Sequence, residues 1–468
     1  MTEIRLRIGF PDSAVEICRI LRRHGKECYI VGGAVRDKLL GKEPHDIDIA
    51  TDAVPDETER IFSSAGCRTY PTGKQYGTIT VTCDGRNFFE VTTFRGEKYR
   101  RGSRKPEVTW GRSIREDLSR RDFTINAMAY DPIDGVLVDP FGGYEDLRNG
   151  IIRAVGDARE RFSEDPLRIF RMCRFASVLG YEIDRDTFEA AKEKSDELSW
   201  IPMERKTEEF RKAFLKSESP SYFVDCLVKS GAMRHYMPEV YDMIGVQQPP
   251  PHMEDVYTHA LIALDSIATK DYELRMAALL HDIGKPKVRR ETRPYFPRHA
   301  EVSADMAEEM LRRTRHTSKE VRKIGVLVRN HMKVHELAPR TGRDARRLLR
   351  RLVKDGLEKE WVDEYIELVR ADTKATLGLP RDRVEAVERG LELLSEWRNA
   401  PVDRRDLAIS GRDLVELGVE PRKIGAILEK LVDYVVEDPS RNEREALLRR
   451  AAVLAKSMGA LRKERTVR

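Results

Sequence analysis

The sequence lacks any apolar run close to the roughly 20 residues that a membrane-spanning helix requires. Its start, MTEIRLRIGFPDSAVEI, has no apolar block of the kind found in a signal peptide. Low-complexity segments are also missing. These absences argue against a membrane protein and a disordered protein, and we expect a cytoplasmic chain without membrane contact.

The cysteines show no metal-type spacing. The chain has six of them, and none are arranged as CxxC, so the spacing favours neither a zinc ribbon nor a disulfide framework. We expect reduced and mostly buried thiols at positions 18, 28, 67, 83, 173 and 226.

The chain also lacks a strong overall charge. Its 85 Lys and Arg against 80 Asp and Glu leave a formal net charge of +5, which cannot by itself indicate a nucleic-acid partner. Two local basic clusters are dense enough to follow phosphates, although a solvated helix face explains them equally well. The clusters are Arg340, Arg343, Arg346, Arg347, Arg350, Arg351 and Lys354, and the tail Arg462, Lys463, Arg465 and Arg468.

The size of the chain requires several domains. Its 468 residues correspond to roughly three domains of ordinary size. A hydrophobic content of 40% and a charged content of 35% are typical of a globular protein.

The first candidate site is a turn between a strand and a helix. Residues 28–33, CYIVGG, are an apolar run that ends in Gly32 and Gly33, and the helix-like AVRDKLLG follows. Glycines allow a phosphate to approach the backbone, and a helix N-terminus offers it free N–H groups. A glycine pair alone is weak evidence for a phosphate site, and the segment DIDIAT that follows it strengthens this interpretation.

That next segment, DIDIAT, places Asp46 and Asp48 alternately with Ile47 and Ile49, which is strand spacing. We expect the two carboxylates to face one way on a rigid strand, where their repulsion favours bound cations. A solvent-facing strand edge is the poorer alternative.

A third carboxylate follows on a predicted hairpin. The run TITVTCDGRNFFEVTTF alternates apolar and polar residues, turns at Asp84-Gly85, and returns with Glu90. The return strand can bring Glu90 beside Asp46 and Asp48. A merely surface-exposed Glu90 is an equal alternative.

Cationic side chains come next. Ser113 and Glu116 form a capping-box pattern at a helix start, and Arg120, Arg121 and Asp122 follow it. Guanidinium groups suit a triphosphate, and a carboxylate accepts a hydrogen bond from a ribose hydroxyl.

These segments, in order, resemble a known family. GGAVRD, DIDIAT, RRDFTINAMAYD, DPFGG and EDPLRIFRMCRFASVLGY are similar to motifs of the bacterial class II tRNA nucleotidyltransferases, or CCA-adding enzymes, and their poly(A) polymerase relatives. The similarity covers about the first 215 residues. It implies an α+β fold, with a polymerase-beta-like nucleotidyltransferase head of mixed sheet and helices before an all-α neck, HD domain and tail.

The resemblance also implies roles for several of these residues. Asp46 and Asp48 would hold catalytic Mg2+, Gly32, Gly33 and Arg36 would lie at the triphosphate, and Asp122 would contact the ribose. The residue pattern itself adds Glu90 as a further catalytic candidate and Arg121 as a nucleotide-binding candidate, and Asp165 and Arg168 complete the nucleotide-binding set.

Asp165 and Arg168 are the candidates for base selection. Residues 164–180 are predicted as one helix, on which these two side chains share a face. A carboxylate accepts from an exocyclic amine while a guanidinium donates to ring acceptors, an edge that cytosine and adenine both offer. A plain intrahelical ion pair is the alternative. The resemblance implies that they form a protein template for CTP and ATP, with Glu164 as support.

A polar, basic segment, RGEKYRRGSRKPE, lies between Phe94 and Val108 and is predicted to be a mobile loop. Relatives that add only CC lack much of such a loop. Its presence favours an enzyme that can add A.

Histidines concentrate in the second half of the chain. Seven of the ten lie between residues 252 and 335, and the order His259, His281-Asp282, Asp372 resembles the HD phosphohydrolase superfamily, with His299 and His331 matching its additional histidines. Imidazole with carboxylate suits a transition metal such as Ni2+ or Mn2+. We expect a metal site at His259, His281, Asp282 and Asp372, either catalytic or only architectural.

Together these observations predict four domains: a head over 1–145, a helical neck with the base-templating helix over 146–240, an HD-type domain over 241–378 and a tRNA-binding tail over 379–468. The expected function is addition or repair of the tRNA 3′-terminal CCA from CTP and ATP, with release of pyrophosphate. Alternatives are an enzyme that adds only A, a poly(A) polymerase, or a metal-dependent HD phosphohydrolase. The sequence leaves the oligomeric state open.

Overall fold

The computed structural model describes residues 2–98, 107–111, 113–289, 296–337 and 339–461. The chain divides into two compact units, Met1–Tyr236 and Met237–Arg468. Most of the predicted basic loop and the tail residues Arg462, Lys463, Arg465 and Arg468 lie outside the described residues.

The first unit contains the strands. They are β1 Thr2–Arg5, β2 Cys28–Val31, β3 Asp48–Thr51, β4 Arg68–Gly73, β5 Thr78–Thr82, β6 Phe89–Thr93, β7 Arg95–Lys98, β8 Glu107–Trp110, β9 Ala129–Asp131, β10 Val136–Asp139, β11 Ile151–Ile152 and β12 Glu182–Ile183.

The described residues of the first unit also form ten α-helices. They are α1 Asp12–Arg23, α2 Gly33–Leu39, α3 Pro55–Ser64, α4 Ile114–Ser119, α5 Gly143–Asn149, α6 Ala158–Glu164, α7 Leu167–Leu179, α8 Arg185–Lys194, α9 Met203–Lys216 and α10 Pro220–Lys229.

The described part of the second unit is helical. Its helices are α11 Val256–Asp265, α12 Tyr272–Leu280, α13 Lys285–Val288, α14 His299–Arg313, α15 Ser318–Asn330, α16 Lys333–Leu337, α17 Gly342–Lys354, α18 Val362–Ala375, α19 Arg381–Glu396, α20 Gly411–Glu416, α21 Pro421–Glu437 and α22 Arg444–Ser457. None of the helices described in either unit has the combined length and apolar character that crossing a bilayer demands.

The main sheet is mixed, as the sequence predicts. Its eight strands run in the order β1-β10-β9-β2-β3-β6-β5-β4. Strand β3 pairs parallel to β6, and the other neighbouring strands pair antiparallel. The predicted hairpin is confirmed as β5 and β6, with Gly85 at a φ of 70° in the connection.

The predicted strand over the two aspartates begins later than expected. Asp48 is the first residue of β3, and Asp46 lies in the segment before it. The last partner on β2 is Val31, opposite Asp48, because Gly32 then turns away with a φ of 70°. Asp46 therefore has no strand partner on β2, and the expectation that both aspartates stand on one rigid strand is wrong.

The predicted helix over 164–180 is also divided. Helix α7 begins at Leu167, whereas Asp165 is extended, with φ −141° and ψ 95°. Pro166 explains the break, because proline disfavours helical geometry in the residue that precedes it. Asp165 and Arg168 consequently do not share a helix face.

Aromatic side chains hold α7 in place. The Phe170 ring lies 5.8 Å from Tyr236 and 6.4 Å from Phe223, and Phe210 packs on both of those rings. Edge-to-face pairs of this kind each contribute about 0.5–1.5 kcal/mol beyond their buried area. The cluster gives α7 a rigid base.

The arginine-rich segment serves largely as a packing element. Arg346, on α17, donates to the carbonyls of Val436 and Glu437 at the end of α21. Arg350 donates to the Val402 carbonyl and pairs with Glu429. These two buried arginines join α17 to α21, so the prediction that this whole cluster follows phosphates is wrong for them.

The prediction that the cysteines are reduced is also wrong, whereas the prediction that they are mostly buried is confirmed for all but Cys83. The six residues are paired as Cys18–Cys28, Cys67–Cys83 and Cys173–Cys226, with Cα separations of 5.3, 4.2 and 5.6 Å. Each pair joins residues that tertiary packing brings together, such as α7 with α10 in the third pair.

Candidate active site and metal cluster

The first unit contains a cavity of about 710 Å³. Acidic and basic side chains share its wall, an arrangement suited to a phosphorylated ligand with its cations. The charged side chains of this wall include Arg36, Asp48, Glu90, Arg121, Asp122, Asp165, Arg168, Arg171, Arg205 and Glu209.

Two carboxylates meet on neighbouring strands. Asp48 and Glu90 are direct partners in the parallel pairing of β3 and β6. Glu90 lies between the buried Phe89 and Val91, so alternation turns its side chain towards the cavity. Among the described residues, the cavity wall includes Asp48 and Glu90 but not Asp46, which is exposed before the strand.

The surroundings of Asp48 disfavour the ionised form of its carboxyl group. Desolvation within the cavity raises the pKa of its carboxyl, Arg121 opposes this, and the charges of Glu90 and Asp46 raise the pKa further. Cations at this position would relieve the repulsion, so the donor set fits divalent ions bound by oxygen ligands.

The glycine turn lies beneath a guanidinium group. A Cβ built on Gly32 would stand 2.5 Å from Arg121 Nη1. The residue also has a φ of 70°, which side chains rarely tolerate. The positive φ therefore favours glycine at position 32, a side chain there would also displace the Arg121 guanidinium, and Gly33 begins α2.

A hydrogen-bonded chain fixes the arginines deeper in the wall. Arg36 donates to Asn126 Oδ1 at 2.7 Å, and Asn126 donates to Asp122 Oδ1 at 3.1 Å. Asp122 also accepts two hydrogen bonds from Arg171, at 2.8 and 2.6 Å. Burial opposes ionisation of Asp122, but the charge of Arg171 lowers its pKa to about 2. Asp122 is thus an anionic anchor with its oxygens occupied.

The base-selection candidates line the same cavity from different segments. Arg168 donates to Glu164 at 2.7 Å and to the carbonyls of Arg161 and Arg120 at 2.9 and 2.8 Å. These bonds fix the plane of the guanidinium group, and they confirm Glu164 as its neighbour. Asp165 accepts from Leu167 N and from Arg205.

Three side chains at this site were missed by the sequence analysis. Arg171 is held between Asp122 and Glu209, and Arg205 pairs with Asp165. Arg171 repeats the spacing of Arg168 one turn along α7, which was an available signal. Glu209 and Arg205 come from α9, and nothing local to α7 indicates them.

The second unit contains a cluster of imidazoles and carboxylates. His259 Nε2 lies 2.9 Å from Asp372 Oδ1, and His281 Nε2 lies 3.2 Å from Asp282 Oδ2. His281 and Asp282 follow α12 directly, whereas His259 and Asp372 stand on α11 and α18. The four residues predicted as metal ligands are thus brought together.

The additional histidines join the cluster from its other side. His299 and His331 have Nε2 atoms 3.5 and 3.8 Å from Asp282 Oδ1. Among the described residues, three groups have ligand atoms close enough together to hold a metal ion: His259, His281 and Asp372; Asp282, His299 and His331; and His252, Glu254 and His259. Asp282 directs one carboxylate oxygen towards each of the first two groups.

Several buried polar atoms in this cluster make no hydrogen bond within the described residues. They are His281 Nε2, Asp282 Oδ1, His299 Nε2 and His335 Nε2. A buried polar atom without a partner costs about 1–3 kcal/mol. Their convergence fits a metal ion with nitrogen and oxygen ligands.

The charge state of the cluster is shaped by burial and by its neighbours. Burial opposes ionisation of Asp282, yet Lys285 and His281 hold its pKa well below the usual range. Burial lowers the pKa of His331 to about 3, which keeps that imidazole neutral. A neutral imidazole and an ionised carboxylate are the forms that bind metal.

A cavity of about 300 Å³ borders the cluster. Its wall contains Lys285, which donates to Gln248 at 2.6 Å, together with Phe296 and His335. The sequence analysis missed Lys285, although it lies three residues after Asp282. His316 lies apart from the cluster and bonds with Tyr272 at 2.6 Å.

Comparison with known proteins agrees with this geometry. The sequence model of the Poly A polymerase head domain matches residues 28–153, that of the HD domain matches 251–375, and that of the probable RNA and SrmB-binding site of polymerase A matches 180–243. The fold and the site thus define a nucleotidyltransferase that carries an HD-type unit.

Relatives of known identity extend along the chain. A CCA-adding enzyme of Levilactobacillus brevis is 33% identical over 93% of this chain and 96% of its own length. The crystal structure of the Bacillus stearothermophilus CCA-adding enzyme in complex with CTP is similar at a TM-score of 0.69 and 28% identity, covering 96% of this chain and 98% of that one. The chain belongs to the family of CCA-adding enzymes.

Proposed function

We propose that this nucleotidyltransferase adds or repairs the 3′-terminal CCA of tRNA, using CTP and ATP and releasing pyrophosphate. The main support is the pairing of Asp48 with Glu90 in a cavity that several arginines also line. Similarity to an enzyme crystallised with CTP agrees with that substrate. A cytoplasmic location fits a tRNA substrate.

Asp46, Asp48 and Glu90 are the residues that we propose as ligands of Mg2+. When bound, magnesium would lower the pKa of the tRNA 3′-hydroxyl and neutralise charge on the triphosphate. The protein's own contribution is to hold the carboxylates on two strands of a sheet, so that ligand geometry is set before substrate arrives.

Gly32, Gly33, Arg36 and Arg121 are proposed to bind the triphosphate. The first turn of α2 offers backbone N–H groups to an anion, and Arg121 lies directly over the glycine turn. Arg36 is anchored to Asn126 and Asp37, which limits its motion when the phosphates arrive.

Asp122 is proposed to accept a hydrogen bond from the ribose hydroxyl. Its oxygens already accept from Arg171, Asn126 and the Phe123 N–H. The ribose would therefore replace one of the Arg171 hydrogen bonds, and Arg171 would remain as the neighbouring cation.

Asp165 and Arg168 are proposed to select the base. Arg168 presents a fixed guanidinium to ring acceptors, while Asp165 accepts from the exocyclic amine of cytosine or adenine. Because they come from different segments, a small movement of Asp165 relative to α7 would alter their spacing. Such a movement would suit two bases of different size.

The decisive experiment supplies purified protein with CTP, ATP or both, and with tRNA transcripts that end at the discriminator base, after one C, or after two. Full CCA addition to the shortest transcript supports the proposal. Extension only after CC indicates an A-adding enzyme, and long A tails indicate a poly(A) polymerase.

A metal-dependent hydrolase is a second candidate function, located in the HD-type unit. The converging unpartnered atoms of His281, Asp282 and His299 beside a cavity favour it. We propose His259, His281, Asp282 and Asp372 as ligands of a transition metal such as Ni2+ or Mn2+. Phosphatase and cyclic phosphodiesterase assays with each metal test it, and inactivity despite bound metal would leave only an architectural role.

We also propose the finer domain division of the sequence analysis, with a head over 1–145, a neck over 146–240, an HD domain over 241–378 and a tail over 379–468. Truncation at residue 378, followed by a tRNA-binding measurement, tests whether the tail contributes affinity. Unchanged binding would argue against a tRNA-binding tail.

A further inference from the structure

Glu254 lies just before α11 and has only a small exposed fraction, 7%. Its Oε1 atom is 3.1 Å from His259 Nδ1 and 2.7 Å from His252 Nδ1. Its Oε2 atom accepts from the backbone N–H groups of Met253, at 3.0 Å, and of Leu377, at 3.3 Å. A single buried carboxylate thus receives four donors.

This arrangement favours one tautomer of a metal-bound His259. The Glu254 carboxylate lies at Nδ1 and the Asp372 carboxylate lies at Nε2, so each ring nitrogen has an acceptor beside it. A metal bound at Nε2 would take the place of the proton on that atom and leave the other proton on Nδ1, where Glu254 accepts it. Glu254 therefore holds the ring so that Nε2 is directed at the proposed metal.

Glu254 also links two segments that carry ligands. His259 stands on α11, and Leu377 follows α18, which carries Asp372 five residues earlier. The hydrogen bond from Leu377 N to Glu254 joins the end of α18 to the start of α11. Loss of this carboxylate would loosen the positions of both ligands.

We propose that Glu254 is a positioning residue, which fixes the ring orientation and tautomer of His259 and thereby sets the metal affinity of the HD-type unit. This inference rests on the proposed metal site. Outer carboxylates that orient metal-bound histidines typically contribute 10–100-fold in metal affinity.

Glu254→Gln is the sharpest variant because it preserves size while replacing one acceptor oxygen with an NH2 donor. Every group around the side chain is itself a donor, so the amide must face at least one of them. We expect dissociation constants for Mn2+ and Ni2+, measured by competition with a chelating dye, to rise by about 10–100-fold.

Glu239→Gln serves as the matched control. Glu239 is a partly buried carboxylate of the same unit that pairs with Arg313 at 2.6 Å, away from the cluster. We expect its metal dissociation constants to equal those of the wild type. Thermal unfolding in the presence of EDTA, measured for all three proteins, separates metal affinity from general stability.

A spectroscopic measurement removes any dependence on the variant's folding. Long-range 15N–1H correlation of the wild type loaded with Zn2+, a diamagnetic probe, should show the remaining His259 proton on Nδ1. A proton on Nε2 instead would overturn the proposal.

The failures are distinguishable. Wild-type protein that binds neither Mn2+ nor Ni2+ would refute the proposed metal site itself. Wild-type protein that binds metal, with Glu254→Gln binding it equally well, would refute only the positioning role of Glu254.

Discussion

The cavity of the first unit and the cluster of the second unit both present carboxylates, but they neutralise them differently. In the first, Asp48 and Glu90 are solvent-accessible on a sheet and line a cavity of about 710 Å³ together with several arginines. In the second, Asp282 and Asp372 are buried among imidazoles. Oxygen ligands in an open site suit exchangeable Mg2+, whereas buried nitrogen and oxygen ligands suit a retained transition metal.

The two sites also differ in the cations that the protein itself provides. Arg171 beside Asp122 keeps its charge at every physiological pH, so that pair is complete without any ion. The imidazoles around Asp282 instead offer nitrogen atoms that can bind a metal. The first unit therefore provides guanidinium groups that stay charged, whereas the second provides nitrogen and oxygen atoms that can bind a metal.

The largest expected effect is from Asp48→Asn, which tests the open site. We expect nucleotide incorporation to fall by at least about a thousandfold, or ~4 kcal/mol of transition-state free energy, because a cation ligand is lost. Single-turnover incorporation of CTP measures it. Asp134→Asn, a surface carboxylate of the same unit, is the control, and incorporation by Asp48→Asn within tenfold of that control would contradict the metal role.

The next effect concerns the buried cluster. Asp282→Asn should weaken Ni2+ and Mn2+ binding by more than the roughly hundredfold that loss of an outer partner costs, because Asp282 directs an oxygen towards two of the ligand groups. Elemental analysis after dialysis measures the retained metal. Retention equal to the wild type would show that the two sites differ less than their geometry indicates.

Acid stability provides a comparison within the first unit. Asp122 is buried, and Arg171 lowers its pKa to about 2, so its stabilisation is present above the unfolded pKa of ~3.9 and is lost as pH falls through about 2. The pair should contribute about 2.5 kcal/mol at neutral pH.

Denaturant unfolding between pH 2 and 7 checks that contribution. Relative to the wild type, Asp122→Asn should lose this part of the pH dependence while keeping the rest. Parallel curves for the two proteins would mean that Arg171 does not stabilise the ionised form.

The smallest effect is expected for base selection. Arg168→Ala should raise incorporation of U or G relative to C and A by about 10–100-fold, since a good base contact discriminates by ~1–3 kcal/mol. Competition between labelled nucleotides measures the ratio. Because Arg168 also bonds three neighbours, unfolding of the variant must be measured in parallel, and unchanged selectivity in a folded variant would contradict the template role.

Local sequence patterns predicted the elements that depend on local physics. Alternation identified β5 and β6, the glycine pair identified the start of α2, and the family motifs indicated residues that lie together in the cavity and in the cluster. The signals at Asp84-Gly85 and Gly32-Gly33 are properties of the backbone at those residues, so a single sequence is enough to reveal them.

The wrong predictions concern features that tertiary contacts determine. Asp46 falls outside β3 because β2 turns away at Gly32, and Arg346 and Arg350 are buried because α21 offers them carbonyls and a carboxylate. The cysteine pairs and Glu254 with its donor Leu377 likewise unite residues far apart in the chain. The helix break at Pro166 was the exception, since proline in the sequence was sufficient to indicate it.

The alignment of β6 against β3 has a consequence for how the catalytic acids tolerate change. A strand that slips by one residue turns every side chain to the opposite face, so a slip here would send Glu90 inwards and expose Phe89 and Val91 to water. The buried apolar neighbours of Glu90, Phe89 and Val91, therefore fix the direction in which its side chain points. A polar replacement of Phe89 or Val91 would therefore turn the Glu90 carboxylate away from the cavity, although neither residue takes part in the proposed chemistry.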